Sequence, residues 1–205
     1  MNPVANRVAQ SPYNYADWLY DRGIIRMSSK VVEGCIGNTG FGASLEVAKY
    51  LGRGASCYMI EADFLQMEIH QHEFLRRYKP KPKIGRPELS WLNGRIEDQE
   101  EIIKGCDALL FHNYVPIDRK TQRGDNKNCY QRVQQLFCRL VKSKPKHIAL
   151  WLPYLKDSDA EFTENVFRSL NLEFEKSDNI DYAGELGIQK RNDWKGKIIL
   201  AKVRT

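Results

Sequence analysis

Long apolar runs are missing from this 205-residue chain. No stretch approaches the ~18 consecutive apolar residues that a membrane-spanning helix needs, and the opening M-N-P-V-A-N-R-V-A-Q-S-P has no apolar core of the kind a secretory signal carries. A cytoplasmic protein without a membrane partner is expected. Cysteine is sparse and poorly spaced for crosslinking: Cys35, Cys57, Cys106, Cys129 and Cys138 are odd in number and form no C-x-x-C pair. That excludes a disulfide framework and a zinc cage, and most of them are expected to be buried thiols. Internal repeats and low-complexity tracts are absent, so one domain is expected over residues 1–205, with a helical extension at 1–29 and a core at 30–205. Charge of neither sign dominates. A net charge of +6 and a pI near 9.0 permit an acidic partner such as RNA without requiring one.

The most informative stretch is V-V-E-G-C-I-G-N-T-G-F-G at 31–42, followed by A-S-L-E-V-A-K-Y-L. A β-branched run that breaks into spaced glycines and then an apolar-periodic stretch reads as strand, tight turn and helix start. Gly37 and Gly40 permit positive φ and close backbone approach, and the free N–H groups of the helix start favour polar or anionic ligand groups. This is a nucleotide-binding corner.

The rest of the chain alternates. A helix is expected at 13–23 from the spacing of Tyr15, Trp18 and Leu19, then a strand at 31–33, a helix at 43–51 and a strand at 56–61. A long helix at 64–78 stops at K-P-K-P-K-I-G-R-P, where three prolines forbid its continuation. Further strands are expected at 89–92, 106–112 and 147–152, with helices at 98–105 and 129–142. A helix at 162–170, a strand at 171–177 and a strong last strand at 197–203 complete the pattern, the last two forming an antiparallel pair. Apolar strands alternating with helices imply an α/β three-layer sandwich around a mostly parallel seven-strand sheet with an antiparallel C-terminal strand.

From residue 13 to residue 203 this order resembles a class I S-adenosylmethionine-dependent methyltransferase of Rossmann-like fold, whose last strand inserts antiparallel beside the sixth. The resemblance implies S-adenosyl-L-methionine as cofactor and methyl transfer as activity. It implies Glu33 at the end of the first strand, with Gly37, Asn38 and Gly40 near the methionine part. The family's acidic-x-Gly-x-Gly-x-Gly spacing is not met, because glycines fall at 34, 37, 40 and 42. Glu61, in M-I-E-A-D, is placed to accept from both ribose hydroxyls, and Ile96, Glu97 and Asp98, in N-G-R-I-E-D-Q, to border the adenine. An N-cap for the helix that follows is an equal use of the same residues. H-N-Y-V-P puts His112 beside the cofactor and Asn113 and Tyr114 in the acceptor region. The family's Asp/Asn-Pro-Pro-aromatic order is absent there. Transfer itself requires in-line positioning more than acid–base chemistry.

Other readings share these residues. G-C-I-G-N-T-G at 34–40 matches the G-x-x-G-x-x-G of atypical short-chain dehydrogenases that bind NAD(P). Against NADP, Glu61 repels a 2′-phosphate, and no Tyr-x-x-x-Lys pair follows the fourth strand. The G-N-T-G segment also resembles the substrate loop of pyridoxal-phosphate enzymes of the cysteine-synthase kind, but no lysine precedes Lys30 to form their Schiff base. A catalytically silent Rossmann domain is the third reading. The stretch 76–87, running from Arg76 through Lys79, Lys81 and Lys83 to Arg86, offers phosphate neutralisation to RNA, unless it is a proline-stiffened connector. Basic residues at 117–128 are expected on the same rim of the sheet. His70 and His72, two apart on a helix, face different ways. Phe111 and Trp151 are expected in the core, and Tyr15 and Trp18 are expected partly exposed on a helix over the cofactor cleft.

Overall fold

The structure is a computed structural model that describes residues 15–36, 43–80, 83–112, 126–153, 157–181 and 195–203. In chain order the elements are α1 (Tyr15–Asp21), β1 (Lys30–Gly34), α2 (Ala43–Val47), β2 (Ser56–Glu61), α3 (Phe64–Arg77) and β3 (Glu88–Asn93). A 3-10 turn at Ile96–Asp98 leads into α4 (Glu100–Ile103), followed by β4 (Ala108–His112), α5 (Asn126–Lys142), β5 (His147–Pro153), α6 (Asp157–Ser169), β6 (Glu173–Asp181) and β7 (Lys195–Lys202). No helix among the described residues is long and apolar enough to cross a membrane.

The seven strands form one sheet in the order β3-β2-β1-β4-β5-β7-β6. The first five in chain order pair in parallel, while β7 lies antiparallel to both β5 and β6. Side chains alternate across this sheet as strand geometry requires. Ala108, Leu110, Ala149 and Trp151 join Tyr15, Trp18, Leu45 and Phe74 on one face. Leu109, Phe111, Ile148 and Leu150 join Ile103, Val133, Phe137 and Phe167 on the other. Helices α1, α2 and α3 thus cover one face and α4, α5 and α6 the other. The central strands are covered on both faces, which is why β4 and β5 read as nearly continuous apolar runs.

Three local features shape the ends of elements. The side chain of Asp63 caps α3 by accepting from the Gln66 N–H at 3.0 Å, and α3 ends where Tyr78 turns extended ahead of the prolines. The last turn of α2 tightens through i→i−3 bonds from Lys49 and Tyr50, so the helix stops short of the expected residue 51. A β-carbon on Gly196 would lie 2.3 Å from the Leu152 carbonyl oxygen, so only glycine lets β7 lie this close to β5.

Two expectations are corrected. Tyr15 and Trp18 are not exposed over a cleft but lie in the core, the Tyr15 hydroxyl donating to the Ala149 carbonyl at 2.9 Å. Helix α1 lies flat on the sheet beside α2, where burying both rings is favourable, and Tyr50 of the turn after α2 donates its hydroxyl to Asp17. The basic stretch before β3 is not on the rim from which β4 leads into residues 117–128. It follows a helix, so the chain has already returned to the amino ends of the strands. There the Arg53 N–H donates to the Ile84 carbonyl, and the Glu88 N–H to the Ala55 carbonyl, each at 2.9 Å.

Candidate functional site

The carboxyl ends of β1 and β2 meet the turn after β3, and the site is built around a buried acid. Glu33 is fully buried on β1 between Met59 and Leu110 in register. Its Oε2 accepts from the Ser44 N–H, at the start of α2, at 2.8 Å. The carboxylate therefore ties β1 to the start of α2. Burial, and secondarily the Glu33 charge, push the Tyr15 hydroxyl and the Cys57 thiol above their ordinary ranges. Gly34 leaves no room for a side chain: a β-carbon there would lie 3.0 Å from Ile96 Cγ1 and 3.0 Å from Phe111 Cε1.

Cys35 follows with φ of 58°, a left-handed conformation that glycine adopts most easily, while its N–H donates to the Ile60 carbonyl at 2.9 Å. It stands two residues after Glu33, where the acidic-x-Gly-x-Gly-x-Gly pattern has its first glycine, and Gly37 stands at the second. The departure at the first place is thus a substitution that keeps the backbone turn.

Beyond this corner opens a cavity of about 320 Å³, lined by Cys35, Ile60 and Ala62, by Gly94 to Glu97, and by Arg132 and Leu136 of α5. Its size falls within the range of small-molecule sites. Ile60, Ile96 and Leu136 give it apolar walls, and Glu97 adds an acceptor. Arg95 and Arg132 are exposed at its edge and have no ion-pair partner among the described residues.

The expected residues fall as follows. Ile96, buried, and Glu97 are on the cavity wall, whereas Asp98 is exposed and off it. No side chain caps α4 from Gln99, so the capping use of this segment is not realised. Glu61 ends β2 between two wall residues, Ile60 and Ala62. Its Oε1 accepts from the Asp63 N–H at 3.2 Å, and its main-chain carbonyl accepts from Asn93 Nδ2 at 3.0 Å. His112 ends β4 with its ring 5.5 Å from that of Trp151, away from the cavity wall. Gly37, Asn38, Gly40, Asn113 and Tyr114 lie outside the described residues. Cys35, Arg95, Arg132 and Leu136 are wall residues that were not expected at the site. The i, i+4 spacing of Arg132 and Leu136 on α5 was their one visible signal.

No protein-family model matches the sequence, and no curated protein matches it. Solved structures do match by shape. The methyltransferase domain of METTL16 superposes with a TM-score of 0.60 at 9% identity, covering 93% of this chain and 81% of that one. A candidate rRNA methylase from Clostridium thermocellum gives 0.55 at 13% identity, covering 92% and 95%. A SAM-dependent O-methyltransferase from Thermotoga maritima gives 0.58 at 11%, covering 93% and 65%. The fold is that of a class I methyltransferase. The class I methyltransferase sheet accounts for the feature a dinucleotide-binding sheet does not require, β7 inserted antiparallel between β5 and β6. It also fits a crevice outside the carboxyl ends of β1 and β2.

Proposed function

We propose that this protein is an S-adenosylmethionine-dependent methyltransferase with an RNA acceptor. The observation that carries the reading is the cavity at the carboxyl ends of β1 and β2, beside the buried Glu33, in a sheet with the inserted β7. The residues present fit the cofactor. Ile60, Ile96 and Leu136 offer apolar walls for an adenine ring, and Glu97 offers a carboxylate to its exocyclic amino group. Glu61 takes the ribose hydroxyls, and Asp98 stands at the outer edge of the adenine region. Glu33 anchors the start of α2 through the Ser44 N–H, and Gly37, Asn38 and Gly40 are assigned to the methionine part. When bound, the cofactor supplies a methyl group on a positively charged sulfur. The protein's part is then to fix the acceptor in line and exclude water. Asn113 and Tyr114 are assigned to the acceptor, with His112 behind them at the end of β4.

An RNA acceptor is favoured by the basic stretch from Arg76 to Arg86 and by the likeness to a candidate rRNA methylase. One observation favours a second reading: Arg95 and Arg132 at the cavity edge suit a phosphate-bearing dinucleotide. Calorimetric titration with S-adenosylmethionine, S-adenosylhomocysteine, NAD and NADPH in one buffer separates the two. Binding of the first pair alone is expected. Binding of a dinucleotide alone overturns the proposal, and cofactor binding without transfer to bulk RNA removes the RNA acceptor.

A further inference from the structure

The amino ends of the strands carry an arrangement that the cavity does not explain. Six strand ends lie side by side on this rim, in the order β3-β2-β1-β4-β5-β7, and at each stands an exposed basic residue outside the Lys146–Asp107 pair. These are Arg86 before β3, Arg53 before β2, Arg26 before β1, Lys104 before β4, Lys144 before β5, and Lys202 at the end of β7. All six side chains are exposed, and none has an ion-pair partner among the described residues.

The segments that carry them are knitted together by backbone bonds. Arg53 N–H donates to the Ile84 carbonyl, Gly52 to Met27, Asp107 to Lys30, Lys146 to Cys106, and Val203 to Lys146, at 2.8 to 3.0 Å. The backbone positions of the row are therefore fixed by the sheet. With strands ~4.8 Å apart, five intervals give a line of charge ~24 Å long. Acidic groups stand among them: Asp107 accepts from Lys146 Nζ at 2.7 Å and from the Lys30 N–H at 2.9 Å, Glu88 begins β3, and Glu173 begins β6 in register with Lys202.

Helix dipoles account for only two of these residues, Lys104 as the C-cap of α4 and Lys144 two residues past α5, and not for Arg86, Arg53, Arg26 or Lys202. Unpaired like charges at this spacing repel one another and are stabilised by an anionic partner.

We propose that this rim is a docking surface for the phosphate backbone of an RNA duplex, on the opposite edge of the sheet from the cofactor cavity. A single row suits a linear polyanion, whose phosphates follow one another at comparable spacing, better than the plane of an anionic membrane. Recognition through phosphates alone is shape-dependent and indifferent to sequence. The inference extends the RNA acceptor of the proposed function and rests on that choice of acceptor class. It does not depend on which cofactor fills the cavity.

The test is binding of a fluorescent 20-base-pair RNA duplex, followed by anisotropy from low to moderate salt without cofactor. The triple variant Arg53→Gln, Lys104→Gln, Lys202→Gln spans the row and leaves the cavity wall untouched. Its folding is checked by circular dichroism, and its cofactor binding, expected unchanged, by calorimetry. The slope of log affinity against log salt is expected to fall by about 3, and affinity at 0.1 M salt by one to two orders of magnitude. A folded triple variant with the wild-type slope overturns the proposal. So does binding to vesicles of phosphatidylcholine and phosphatidylserine without binding to the duplex, which would assign the row to a membrane surface.

Discussion

His70 offers a stability test whose size follows from one hydrogen bond. It lies on α3, fully buried, and Trp91 Nε1 donates to its Nδ1 at 3.1 Å. An indole nitrogen only donates, so Nδ1 must be the bare nitrogen and the proton must sit on Nε2. Nε2 itself has no acceptor among the described residues. Protonating Nδ1 would set a donor against the Trp91 donor and place a charge beside Phe74, and burial accordingly lowers the pKa from 6.5 to about 4. The unfolded chain takes up this proton near pH 6.5, and the folded chain only near pH 4. Stability from this group is therefore complete above pH 6.5 and is lost as pH falls toward and through 4. A displacement of that size corresponds to roughly 3 kcal/mol between pH 7 and pH 4, a large share of an ordinary folding free energy. His70→Gln keeps an acceptor for Trp91 and removes the titration. Urea unfolding of both proteins across this range should show the wild type losing roughly 3 kcal/mol more than the variant. Equal losses would refute the reasoning, since they would mean that His70 takes no part in the acid response.

Three further substitutions test the site and the sheet. Glu61→Ala should raise the dissociation constant for S-adenosylmethionine about 10- to 150-fold, the equivalent of ~1.5–3 kcal/mol for hydrogen bonds to a charged group; unaltered affinity by calorimetry would move the ribose elsewhere. Gly34→Ala must displace Ile96 or Phe111. It should cost about 1–3 kcal/mol in denaturant unfolding and weaken cofactor binding through the shifted cavity wall. Gly196→Ala drives a β-carbon into the Leu152 carbonyl, which cannot move without breaking the β5–β7 ladder. A loss of at least about 3 kcal/mol is expected, and a melting temperature near the wild type's would contradict the close approach.

Much of this fold is legible because its local signals agree. The apolar run at Ser56–Glu61 is β2 to the residue, and the Phe64 helix stops at the prolines as steric exclusion demands. The antiparallel last strand was readable from element order, but its seat between β5 and β6 is a matter of long-range pairing that no local window contains. The site was harder. Glu61, at the end of β2, does not line the cavity, whereas Ile96 and Glu97 could be placed on its wall because they follow a strand, where ligands of such sheets gather. Cys35 could not, since nothing about a cysteine announces a left-handed backbone. Arg132 and Leu136 reach the cavity from a helix distant in sequence. The placement of Tyr15 and Trp18 failed for a related reason: amphipathic spacing shows that a helix has an apolar side, not which surface covers it. The basic stretch was assigned to the wrong rim by treating a segment that follows a helix as one that follows a strand.

The position of β7 also bears on how the chain is made. It is synthesised after β6, yet β6 meets the rest of the sheet only through it. Until β7 docks, β5 exposes an open edge carrying Leu150 and Trp151, and β6 has no strand to pair with. A nascent chain at that stage is a template for mispairing with its neighbours. Arrival of Lys195–Lys202 fills the gap with hydrogen bonds on both sides at once. Closure should therefore be abrupt, and the interval before it should be the one in which a holding chaperone matters most.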